Sequence, residues 1–122
     1  MSISQTSIQF PLDIVSLMVV AENGTKGARN PDITTKILQL RKKDHPIEKP
    51  DTRFSGMGVV SDGIYNILTL LLGNGYIQQL SPAQITPKGR AFLKETIQRY
   101  LDDAQTREAC TGLLKEINLR EL

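Results

Sequence analysis

Arg41, Lys42 and Lys43 stand in a row, and Lys49 and Arg53 follow close behind. Such a run of cations can neutralise phosphate oxygens, a contact that supplies affinity for nucleic acid without choosing a sequence. A second group lies from Ser61 to Thr69, where Ser61, Tyr65, Asn66 and Thr69 fall on the outward side of a predicted helix. Asn66 could pair with the edge of adenine and Thr69 could touch a thymine methyl, while Ser61 and the N–H groups of a helix start could hold a phosphate. Asp62 opposes this, because a carboxylate repels phosphate. Both groups also fit a plainer reading, in which the cations suit the negative end of a helix and the polar edge is only solvated. Lys88, with Arg90, starts a later helix near the wing and suits a structural role better than a phosphate contact.

Other chemistry finds little footing. His45 is the only histidine and Cys110 the only cysteine, so one chain cannot assemble a Cys/His zinc cluster or an intrachain disulfide. His45 beside Pro46 suits a surface loop, and Cys110 suits a packed, small apolar position. No nucleophile-base pair, phosphate-binding glycine loop or pair of carboxylates stands at a useful spacing. The expectation is a protein with no catalytic residues, no metal and no cofactor. The net charge of +2 is small, but it is unevenly placed: residues 24–54 hold eight basic and four acidic side chains, leaving −2 for the rest. The six aromatic residues do not alternate with cations as a single-strand stacking platform would require.

At 122 residues the chain suits one core. The first residues, Met1 to Gln9, are polar and lack a basic start followed by an apolar run, and no apolar stretch reaches spanning length. A cytoplasmic protein without membrane contact is expected. The first helix should run over about 11–22, opening on Pro11 and closing at Asn23-Gly24; it is apolar nearly all round and should be the most buried. Gly24 to Asn30 is expected as a loop. A second helix is predicted over 32–43 with Asp32 as its N-cap and Ile33, Ile37 and Leu40 on one face.

Asp44 to Gly58, with Pro46, Pro50 and Gly56, shows no periodicity and is expected to be a long loop or arm. The third helix, 61–73, starts on Ser61, buries Ile64, Ile67, Leu68, Leu71 and Leu72, and stops at Gly73-Asn74-Gly75. Tyr76 to Leu80 and Gln84 to Thr86 are predicted as a strand pair around Ser81-Pro82-Ala83, with Ile77 and Ile85 inward. Thr86-Pro87 starts a further helix, and Thr106 caps a last one after a break over 102–105.

The run Ser-Asp-Gly-Ile-Tyr-Asn-Ile-Leu-Thr-Leu-Leu-Leu-Gly-Asn-Gly-Tyr-Ile from Ser61, followed by Gln-Ile-Thr-Pro-Lys-Gly-Arg-Ala-Phe-Leu ending at Leu93, resembles winged-helix regulators of the MarR and PadR type. One part looks like the passage from the family's recognition helix into its first wing strand. The other looks like the passage from the second wing strand into the next helix. The resemblance covers about a quarter of the chain. It departs from the family in its uncharged wing, Gln78 to Gln84, and in the long stretch Asp44 to Gly58 between the second and third helices.

That resemblance implies a mainly α, α+β winged helix-turn-helix, with a core over 1–86, a wing over 76–86 and C-terminal helices over 87–122, all in a single domain. It further implies a homodimeric transcription regulator that binds double-stranded DNA. The DNA-binding set would be Arg41, Lys42, Lys43, Lys49, Arg53, Ser61, Tyr65, Asn66, Thr69 and Lys88. The dimer would form through Leu93, Ile97, Tyr100, Leu101, Leu113, Leu114 and Ile117. The alternative is a winged-helix protein–protein interaction module without direct DNA binding, which the neutral wing favours.

Overall fold

The computed structural model describes residues 8–56 and 58–119. The polar leader up to residue 7, residue 57 of the expected arm and the last three residues of the C-terminal stretch lie outside the described residues. The fold is mainly helical, of α+β type: α1 (Leu12–Glu22), α2 (Asn30–Lys42), β1 (Arg53–Ser55), β2 (Gly58–Val60), α3 (Asp62–Gly73), α4 (Pro87–Asp102) and α5 (Arg107–Glu116).

α1 forms the centre. Every residue from Ile14 to Val20 is buried, as its near-continuous apolar sequence predicts, and α1 touches α2, α3 and α4. Pro11 sits at the N-cap rather than inside the first turn, and the carboxylate of Glu48 accepts from the Leu12 N–H at 3.1 Å. The segments flanking this helix pair as well. Phe10 bridges Ile47 in parallel, and its ring meets Tyr100 of α4 edge to face with centroids 5.0 Å apart.

α2 begins two residues earlier than expected. Pro31 occupies its first turn, and Asp32 is not the N-cap: it sits inside the helix, with its carboxylate accepting from the Arg29 N–H at 3.0 Å. The expected loop between α2 and α3 contains the one regular sheet among the described residues, an antiparallel hairpin with Arg53 opposite Val60 and Phe54 opposite Val59. Its three-residue strands are too short to leave a period in the sequence.

The end of α3 is a double lock. Gly75 adopts φ +78° and donates to the Leu72 carbonyl, while Tyr76 donates to that of Leu71, so two carbonyls that the helix leaves open are satisfied. The segment between α3 and α4 is less regular than the predicted strand pair. Tyr76 to Leu80 and Gln84 to Thr86 form no strands. Ile77 and Ile85 are buried as predicted but meet in one isolated bridge, and Ala83 turns aside to bridge Ala28 in the segment before α2. The strand expectation fails because Ser81-Pro82 and the Ala28 contact divide the pairing between two partners.

α4 starts as predicted: the Thr86 hydroxyl accepts from the Gly89 N–H at 3.0 Å and donates to the Gly75 carbonyl at 2.6 Å. Gly89 is required by proximity, since a Cβ there would stand 2.1 Å from the Tyr76 carbonyl oxygen. Thr106 does not cap α5 with its side chain. Its hydroxyl donates backwards to the Tyr100 carbonyl at 2.6 Å and so ties the α4–α5 turn.

Candidate interaction surface

The N-terminus of α3 is closed by its own chain. Ser61 is fully buried; its hydroxyl accepts from the Ile64 N–H at 3.1 Å and donates to Asp51 at 2.8 Å. Asp51 also accepts from the N–H groups of Asp62 at 3.2 Å and Gly63 at 3.0 Å. The Ser61 hydroxyl and these two N–H donors hold the Asp51 carboxyl below its ordinary pKa. A carboxylate thus occupies the place where Ser61 was expected to hold a phosphate, so that part of the predicted set is corrected.

Arg53 is spent at the same place. From β1 it makes a salt bridge to Asp62 at 3.0 Å, and the hydrogen bonds from its side chain to that carboxylate raise its own pKa. The pair is exposed and adds little stability, yet it takes Arg53 out of the expected phosphate-binding set and leaves Arg29, in the same cleft, as the cation here without an ion pair among the described residues.

The basic triplet lies elsewhere. Asn30, at the start of α2, exchanges hydrogen bonds with the Ser61 backbone at 2.8 and 3.0 Å. Arg41 is eleven residues further along α2, roughly 16 Å along its axis. There Arg41 donates to the Ile47 carbonyl, and Lys43 pairs with Glu116 of α5 at 3.2 Å. Glu116 also faces His45 at 3.6 Å, and its carboxyl is held low, chiefly by Lys43. Lys42 and Lys49 are exposed and make no ion pair among the described residues. Lys88 stands 5.5 Å from the centroid of the Tyr76 ring. The expected phosphate-binding set is therefore divided: two members fasten the turn after α2, one neutralises Asp62, and Ser61 is inside.

The remaining predicted positions on α3 are outside. Tyr65, Asn66 and Thr69 are exposed, so the expected outward edge exists. With helical spacing, Tyr65, Thr69 and Leu72 share one flank and Asn66, Leu70 and Gly73 the other. Leu72 is partly exposed rather than buried, a correction to the predicted stripe, and Leu70 is 67% exposed. From Asp62 to Gly73 the helix carries no lysine or arginine. Phe54, on the hairpin beside it, is 86% exposed. A cleft of about 440 Å³ opens between the hairpin, the start of α2 and α3, with Val60, Leu68 and Leu80 apolar and Arg29 at its edge.

The helices at the C-terminal end fold back on their own core. Leu93, Ile97, Leu113 and Ile117 are buried within this chain, so those side chains are not on offer to a second copy. Tyr100, Leu101 and Leu114 are partly covered. Cys110 is buried, and burial pushes its thiol pKa up, consistent with a packed and inert role.

Sequence reasoning missed Asp51, Phe54, Leu70 and Arg29. Leu70 left a legible signal: Leu68, Leu70, Leu71 and Leu72 lie within five consecutive positions, and a helix cannot turn all of them inward. Among the described residues no helix is long and apolar enough to cross a membrane, and no group of acidic, histidine and cysteine side chains could hold a metal. Comparison with known proteins returns no matching family model, curated protein or solved structure.

Proposed function

We propose that the protein is a winged-helix interaction module that docks on another protein through the exposed side of α3, without direct DNA binding. The winged-helix reading is supported by the order of the parts: α1, the Ala28 segment, α2, α3, then the Ile77–Ile85 bridge leading into α4. In that arrangement α3 is the helix presented to a partner. The hairpin β1–β2, inserted before α3, is the departure from the usual plan.

The observation that carries the choice of partner is the character of α3. Its exposed side bears Tyr65, Leu70 and Leu72 but no cation, its N-terminus is occupied by Asp51, and its one acidic residue has taken up Arg53. DNA affinity comes largely from cations that replace phosphate counterions, and α3 itself carries none, with Arg29 in the cleft beside its start. Apolar and aromatic groups of this kind suit protein contact.

Double-stranded DNA is the second reading. It is favoured by the fold plan itself and by Arg29, Lys42, Lys49 and Lys88, cations without an ion pair among the described residues. A photo-crosslinking amino acid placed at the exposed Thr69 separates the two readings. Light-dependent protein adducts are expected in cells producing the variant; adducts removed by nuclease would overturn the module reading in favour of DNA.

A further inference from the structure

A second groove lies on the opposite flank of α3, between the first turn of α1, the last turns of α3 and the start of α4. It measures about 570 Å³, within the range of specific binding sites. Ile14, Ile67, Leu70 and Leu71 line it, together with Tyr76 and Phe92, whose rings stack at 4.4 Å. Among the described residues Asp13 and Glu48 are the only charged side chains in its lining, and both are exposed acids.

The C-terminal end of α3 reaches this groove through Asn74; its last carbonyls accept from the N–H groups of Asn74, Gly75 and Tyr76, and the Lys88 ammonium lies beside Gly75 just past that end, so the sign of the groove is set by its two carboxylates rather than by the helix dipole. The positive N-terminal end of α1 is already met by Glu48. Lys88 lies against the Tyr76 ring but is not part of the lining.

We infer that this groove takes a basic amphipathic helix of a partner protein, its apolar side on Leu70 and the Tyr76–Phe92 stack and its lysines or arginines toward Asp13 and Glu48. A helix fits better than a strand because helices wall the groove. The nearby backbone is also occupied: the Tyr76 N–H bonds to Leu71, the Tyr76 carbonyl accepts from Thr86, and the Glu48 N–H bonds to Phe10. Among the described residues these groups offer no open edge for strand addition, which favours a partner that satisfies its own backbone. The inference rests on the module reading and names the partner's chemistry.

The test uses the full chain and a labelled amphipathic peptide of leucine and lysine, about 18 residues long, so that five turns present one apolar side. A peptide with glutamate in place of lysine is the comparison. Because the protein carries a net +2, unspecific attraction favours the glutamate peptide. The groove predicts the reverse, with the lysine peptide tighter by about tenfold. Leu70→Asp should weaken the lysine peptide by about tenfold or more, as expected for a central anchor, and Asp13→Asn should weaken it several-fold. Thr111→Asp, at an exposed position of α5 outside the lining of this groove, should leave it unchanged.

Equal binding of the two peptides, no binding, or indifference to Leu70→Asp would overturn the inference. So would a concentration-dependent dimer in velocity sedimentation that Leu70→Asp disperses, since a second copy would then be the occupant. Protein adducts at Thr69 alongside failed peptide binding would remove the partner's chemistry and leave the module reading standing.

Discussion

Replacing Gly89 with alanine sets two physical effects of opposite sign against each other. Alanine in place of glycine within a helix is worth up to about 1 kcal/mol from intrinsic propensity alone. At Gly89, however, the new methyl would stand 2.1 Å from the Tyr76 carbonyl oxygen and 2.9 Å from Ile85 Cγ1. That carbonyl accepts the Thr86 N–H at 3.0 Å, so relieving the clash loosens the bond that seats α4 against the preceding bridge. Overpacking costs about 1–3 kcal/mol and a weakened hydrogen bond about 1 kcal/mol more. After the propensity gain is deducted, Gly89→Ala should destabilise the fold by about 2 kcal/mol, lowering the melting temperature by roughly 8 °C. Gly73 supplies the control, since it lies in α3 with nothing within 4 Å of where a methyl would stand, and Gly73→Ala should leave stability level or a few tenths of a kcal/mol higher. Urea unfolding followed by far-UV circular dichroism measures both variants. A Gly89→Ala protein as stable as the parent would refute the account of why α4 begins with Thr-Pro-Lys-Gly.

Two further perturbations test the interior and the charge pairs. The Ser16 hydroxyl is buried and finds no hydrogen-bond partner among the described residues, so Ser16→Ala should raise stability by about 1 kcal/mol in the same assay; a clear loss would mean that the hydroxyl is satisfied. Asp51 and Glu116 have folded-state pKa values below their ordinary ones, so their stabilising contributions are complete at neutral pH and fade as pH falls through the folded values. The stability gap between the parent and Asp51→Asn or Glu116→Gln should therefore narrow on acidification toward about pH 3, whereas a gap independent of pH would show that neither carboxylate acts through its charge.

The sequence by itself determined where most helices start and stop, because those signals are local. Ser61 reaches the Ile64 N–H three residues away, Thr86 reaches Gly89 likewise, and Gly75 closes α3 through carbonyls in the turn before it. The all-apolar run of α1 announced the most buried helix for the same reason: its pattern needs no partner to be read. The side chains meant to act were less legible. Charges on paper look free, and only the tertiary structure decided which were spent: Arg53 on Asp62, Lys43 on Glu116 across 73 positions, and Asp51 on the helix start that was expected to be open. The same holds for the C-terminal helices, whose leucines suit a second copy as well as they suit their own core until the turn held by Thr106 folds them inward. Apolar burial has no direction of its own, and an ion pair depends on a distance that sequence separation does not set.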